Sequence, residues 1–305
     1  MTEVLLERAR DYFHAPQAVS LLLDRTLPDI AGARLLIKPN FVALKGAPLC
    51  CTHAAVIAAA ARHCVERGAR VAVGDSPAFG TAGAVAAAIG LPEMLRPLGV
   101  PVITLGRGVK VRSGPIRVPV SADALEADLI LNLPKFKAHS QMRFSGAVKN
   151  LFGCVTGVSK AWLHAVHGDK GGRFAAMICG LLDVLPPVVS LMDGVEAMHR
   201  TGPIAGDPFP LGLLAAGADP AALDTAAAMV LGAPPEAFPV WRACAQAGLP
   251  GTRPDTLSFP RLRPEEFDAA GFELPQTLKP ESFRPDVLLK SLVRRVWLSC
   301  RADGF

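Results

Sequence analysis

Aromatic side chains are scarce in this chain, with a single Tyr and three Trp, and aromatics make up only 6% of the residues. Single-stranded nucleic acid is held by bases stacked on aromatics beside a basic groove. The net charge of +5 is not gathered into one tract, so nucleic acid is not expected as a partner. No uninterrupted apolar run reaches the roughly 18 residues a bilayer span requires, and no transmembrane segment is expected. The opening MTEVLLERARDYF mixes acidic and basic residues with apolar ones, unlike a signal peptide, and a cytoplasmic location is the expectation. Seven cysteines include no Cys-x-x-Cys spacing, and the adjacent Cys50-Cys51 is not a zinc spacing. Reduced thiols fit best, with Cys64, Cys179 and Cys244 read as small buried hydrophobes. The sequence also lacks a Gly-x-Gly-x-x-Gly following a strand, a phosphate loop ending in Lys-Ser/Thr, and a Gly-x-Ser-x-Gly elbow. Nucleotide hydrolases and serine hydrolases are thereby set aside.

What is present is an alternation of short apolar runs with alanine-rich helical stretches, in 305 residues that suffice for one large or two modest domains. Residues 1–30 read as one or two helices. Ala33 to Ile37 reads as a strand ending in Lys38-Pro39-Asn40. A helix from His53 to Arg67 follows, capped by Thr52 and stopped by Gly68. Arg70 to Val73 is a second strand, ending in Gly74-Asp75-Ser76. Val109 to Val120 alternates about Ser113-Gly114 as a hairpin. Asp128 to Leu133 is a buried strand that breaks at Pro134 into a loop. Ser145 is read as the cap of a helix reaching Phe152, and Lys160 to His167 as helix or loop. Val188 to Met192 is a strand followed by Asp193 and Glu196, and Ala221 to Leu231 a helix containing Asp224. From Pro234 prolines recur. The division expected is therefore an α/β domain over 1–232 and a Pro-rich wrapping extension over 233–305. That extension ends in a basic amphipathic helix from Arg284 to Arg301. Strands alternating with helices give an α/β fold: a mainly parallel sheet with helices on both faces.

In such sheets ligands bind beyond the carboxyl ends of strands, and four expected strands end in polar groups. These are Lys38 and Asn40, Asp75 and Ser76, the run Lys135, Lys137 and His139, and Asp193 with Glu196. Lys149 and Asn150 follow closely. Phe136, Met142 and Phe144 are interleaved with the cations, which implies a segment packed down on the body. The expectation is a shared site for a small anionic molecule. Lys38, Asn40, Ser76, Lys135, Lys149 and Asn150 would bind a carboxylate or phosphate. Lys137, His139 and Asp75 would do the chemistry, His139 as acid–base and Asp75 as the group orienting a histidine or lysine. A second set, His53, His164 and Asp193, has donor types that suit iron or zinc.

The stretches LIKPNFV, THAAVIAAAARHCVERGARVAVGDSP, ADLILNLPKFKAHSQMRFSGAVKNLFGCVTG, LMDGVEAMHRTGPIAGDP and LLAAGADPAALDTAAA occur in this order. Together they resemble the family catalogued as domain of unknown function 362, from about residue 33 to residue 232. The resemblance implies a redox association, because many members are joined to a ferredoxin-like module with two four-iron clusters. This chain has no Cys-x-x-Cys-x-x-Cys run, so no internal cluster of that type is expected. A ferredoxin-like partner would be a separate protein. Two functional readings follow. One is an enzyme acting on a small anionic metabolite, linked to redox through an external ferredoxin. The other is a non-catalytic metal- or anion-binding accessory protein that docks through its basic C-terminal helix.

Overall fold

The structure is a computed structural model that describes residues 1–77, 80–156, 160, 163 and 172–278. The C-terminal helix expected at 284–301 and His164 lie outside these residues.

Among the described residues, apolar runs too short for helices pair into one ten-stranded mixed sheet and two two-stranded sheets. In chain order the strands are β1 (Thr2–Glu3), β2 (Leu5–Arg8), β3 (Arg34–Pro39), β4 (Arg70–Asp75), β5 (Val102–Thr104), β6 (Gly108–Ser113) and β7 (Ile116–Ser121). They continue with β8 (Leu129–Leu133), β9 (Lys135–His139), β10 (Arg143–Phe144), β11 (Val188–His199), β12 (Asp207–Phe209), β13 (Leu213–Gly217) and β14 (Leu257–Ser258). The centre is parallel and runs β11–β8–β3–β4–β5. On the other edge of β11, β13 pairs antiparallel, and β2 closes that side. β6 and β7 form the expected hairpin apart from the main sheet.

Both faces are covered. Leu35, Ile37, Leu131 and Leu191 pack against helices Ala15–Thr26 and Ala54–Glu66. Leu36 and Ile130 point the other way, toward helices Arg173–Cys179 and Pro239–Gln246. Phe136, Met192 and Leu213 meet helix Pro220–Val230. Strands buried on both faces read as continuous apolar runs, as parallel strands do. The sheet is thus an α/β fold dominated by parallel strands.

Several local expectations are corrected. The first residues form β1 and β2, because Val4 and Leu6 bury toward one side and Leu5 toward the other; only Ala15–Thr26 is helical. Residues after Pro134 are not a loop. Pro134 interrupts the pairing, its carbonyl accepts from Asp193, and β9 then runs parallel to the second half of the long β11. β11 also extends well past Met192, so Asp193 lies within a strand. His53, not Thr52, caps helix Ala54–Glu66, its Nδ1 accepting the Ala55 N–H at 3.2 Å. The helix Ala147–Asn150 starts at Gly146 and not at Ser145, and its free N–H groups are taken by Asp224 of helix Pro220–Val230.

Over its described part the chain beyond residue 233 packs into the body, Val240, Ala243 and Cys244 joining the core on one sheet face. β14 pairs with β1, Trp241 donates to Thr225 at 2.7 Å, and Phe272 packs edge-on to Phe136 and Phe209.

Candidate functional site

Strand geometry places the lysines. Side chains two apart on a strand share a face, so Lys135, Lys137 and His139 of β9 project together and Phe136 and Ala138 oppose them. All three polar residues are buried, Lys135 and Lys137 to 1% exposure. An ammonium out of water demands partners, and each lysine has a different set.

Lys38, at the end of β3, is fully buried and ion-paired with Asp75 at the end of β4, 2.9 Å away. Its ammonium also donates to the Pro39 carbonyl at 2.6 Å. Asp75 is held by the N–H groups of Phe41 (2.8 Å) and Ser76 (2.7 Å). Gly153 rides directly over this pair; a Cβ there would collide with the Lys38 ammonium and the Asp75 carboxylate.

Lys135 pairs with its cross-strand neighbour Asp193 at 2.9 Å. It also donates to the Tyr12 hydroxyl at 2.7 Å, which in turn donates to Asp193 at 3.0 Å. The Asp193 carboxylate takes the His53 N–H at 2.9 Å, and the His53 ring stacks on Tyr12 with centroids 3.5 Å apart. Burial holds the His53 imidazole below its ordinary pKa, against the pull of Asp193. The described donors of the expected metal set are thus engaged with protein: His53 Nδ1 caps a helix and Asp193 is an ion-pair partner. Among the described residues no three His, Cys, Asp or Glu side chains gather into a metal-binding group.

Lys137 differs. Its ammonium donates to the Asn40 Oδ1 and, at 2.6 Å, to the Cys50 carbonyl, both neutral. No carboxylate lies within ion-pairing distance of it among the described residues. Burial lowers its pKa from 10.5 to about 8.

A row of amides joins these groups. Asn40 donates to Asn150 Oδ1 at 2.7 Å, Asn150 to Asn132 Oδ1 at 2.8 Å, and Asn132 to Ser190 at 3.0 Å. Asn150 also receives Lys38 at 3.5 Å. The chain of side chains therefore runs from Lys137 across the strand ends to the opposite sheet face. The backbone N–H of Asn40 donates to Thr52, whose hydroxyl donates to the Leu133 carbonyl, tying in the loop that leads to His53.

His139 lies further along β9. Its Nδ1 accepts from Gln141 (3.1 Å) and Met142 (3.3 Å), so the neutral ring carries its proton on Nε2. Ser76 contributes its backbone: its carbonyl accepts from Lys160, which also reaches the Gly153 carbonyl. Lys149 is half-buried beside Asn150.

The family model "Domain of unknown function (DUF362)" matches residues 35–229. The chain belongs to this family. It is 36% identical over 270 residues to the thylakoid-associated protein sll1697 of Synechocystis, a match covering 88% of this chain and 84% of that protein. Among solved structures it is similar to a protein from Thermotoga maritima, with 15% identity and a TM-score of 0.42. Another similar structure is the lactate racemase apoprotein of Thermoanaerobacterium thermosaccharolyticum, with 11% identity and a TM-score of 0.45. The matches cover 79% and 71% of this chain but only 60% and 54% of those two structures.

The segment shared with DUF362 contains every strand end that meets at the network. Sequence reasoning missed Asn132, Ser190, Cys50, Thr52, Lys160 and Tyr12. Asn132 carried a signal, being one amide inside the apolar run Leu129–Leu133. Tyr12 carried none, because it enters the site from far away in the chain. No helix among the described residues is long and apolar enough to cross a membrane.

Proposed function

We propose that this DUF362 chain is an enzyme that binds a small anionic metabolite where β3, β4, β9 and β11 meet, with Lys137 as the group that touches it. The observation that carries the reading is the unequal pairing of the buried lysines. Lys38 and Lys135 have their own carboxylates, whereas the described partners of Lys137 are an amide and a carbonyl. A buried cation with neutral partners is completed by an incoming anion. With its pKa lowered to about 8, Lys137 also passes a proton near neutral pH, the range in which acid–base groups work best. Asn40 holds Lys137 and is itself held by Asn150, which also receives Lys38 of the Lys38–Asp75 pair; His139 on the same strand face is the second proton-carrying group.

The test is calorimetric titration of the native chain with carboxylated and phosphorylated metabolites at about pH 7, where Lys137 is mainly charged. The expected result is binding that Lys137→Met abolishes and Lys137→Arg retains in part, while both variants keep cooperative unfolding. Equal affinity in Lys137→Met and the parent would overturn the assignment. For a bound anion, affinity declines as pH rises past about 8, because the ammonium is then lost.

A further inference from the structure

Next to Lys137 lies a feature that anion binding does not use. Cys50 and Cys51 are adjacent in sequence, both fully buried, with their sulfurs 3.9 Å apart. The chain turns there at the end of the short helix Ala47–Cys50, which sends both side chains to the same side. The Val42 N–H points at the Cys51 sulfur at 3.4 Å. Lys137 places its ammonium on the Cys50 carbonyl at 2.6 Å, putting a positive charge against this one residue.

We propose that Cys50 and Cys51 form a two-electron redox site that reacts with hydrogen peroxide, with Lys137 as its counter-charge and proton source. The Cys50 thiolate attacks a peroxide oxygen, the O–O bond breaks, and the departing hydroxide takes a proton from the Lys137 ammonium. Cys50 is then a sulfenic acid. The Cys51 sulfur attacks the Cys50 sulfur, the S–O bond breaks, and water leaves with the Cys51 proton. Overall two thiols lose two electrons and two protons, the proton released by Cys50 reaching Lys137 through solvent, and one peroxide becomes two waters.

Three features support this assignment. The Cys51 hydrogen bond, then the charge of Lys137, favour the Cys50 thiolate against burial, whereas the Cys50 sulfur and then burial push Cys51 up. One sulfur is thus the attacking thiolate and the other the resolving thiol. Consecutive α-carbons are about 3.8 Å apart, shorter than the roughly 4.4–6.8 Å that an unstrained disulfide spans. The bond formed is therefore strained and easily reduced, which makes the site reversible and not a structural staple. Full burial of both sulfurs selects a small oxidant over a bulky disulfide. This inference does not depend on the anion reading, since its readout is the state of two thiols.

The experiment treats the reduced full-length chain with equimolar hydrogen peroxide under native conditions, then blocks free thiols and maps the peptides by mass. The expected result is loss of two hydrogens confined to the peptide holding Cys50 and Cys51, reversed by dithiothreitol. Cys51→Ser should stop at a sulfenic acid on Cys50, which dimedone present during unfolding traps. Lys137→Met should slow the loss of the Cys50 thiol several-fold. Oxidation falling elsewhere first, or Cys50 and Cys51 both remaining alkylatable after unfolding, would overturn the proposal. An unchanged rate in a folded Lys137→Met variant would overturn the role given to the lysine.

Discussion

Replacing Asp75 by Asn keeps the shape of the side chain and removes its charge. Lys38 is then a fully buried ammonium with neutral acceptors alone, among them the Pro39 carbonyl and the amide oxygen of Asn150. Breaking a buried pair by deleting one member costs about 3–5 kcal/mol, because the other charge stays desolvated. The introduced amide adds a second cost, since its NH2 now faces one of the two backbone N–H groups of Phe41 and Ser76 that Asp75 accepted. The expected loss is therefore at the upper end, about 5 kcal/mol. Lys38→Met is milder, about 3 kcal/mol, because the remaining carboxylate keeps both N–H donors. The double variant leaves no unpaired charge, so a coupling energy of about 2 kcal/mol should appear in the cycle. Urea unfolding of the four proteins measures this, with an unchanged slope confirming that only stability moved. Additivity within about 0.5 kcal/mol, or Lys38→Met costing more than Asp75→Asn, would show that the pair is not what the geometry says.

Burial holds the Asp224 carboxyl up at about 7, against an ordinary 3.8, so the folded chain keeps a proton that the unfolded chain has released. Stability should fall as pH climbs from about 4 to about 7 and level off above; Asp224→Asn should lack this limb, and parallel stability curves for the two proteins would count against it. Gly153→Ala should lose stability by about 1–3 kcal/mol and weaken anion binding, because the added methyl has only the Lys38–Asp75 pair to enter; denaturant midpoints and calorimetry check both parts. Phe272→Ala should loosen the wrapped segment from Phe136 and Phe209, costing about 2 kcal/mol, and limited proteolysis should then cut near residue 272 while the sheet stays protected.

The sheet was legible from the sequence because parallel strands buried on both faces have no other way to read than as apolar runs between helices. The polar strand ends were legible too: Lys38, Asn40, Asp75, Lys137 and Asn150 do meet in one hydrogen-bonded network. The error over Lys135 to His139 has a physical cause. Pro134 ends the apolar run, so Lys-Phe-Lys-Ala-His reads as a loop packed on the body, yet it is a strand whose polar face is buried against Asp193, Tyr12 and Asn40, which lie far away in the chain. The same holds for Asp224, whose work is done at the N-terminus of the helix Ala147–Asn150. Local pattern shows that a residue is on a strand; only tertiary contact shows whether its charge is matched.

Tyr12 stands outside residues 35–229, the part matched by the family model, yet its ring lies flat on His53 and its hydroxyl joins Lys135 to Asp193. The lysine network and its cover thus belong to separable stretches of the polypeptide. A chimera carrying the first 33 residues of the Synechocystis relative would exchange the cover and leave the charged floor untouched. Such an exchange would alter the stack on His53 and the bridge between Lys135 and Asp193, with no change to Lys38, Asp75 or Lys137.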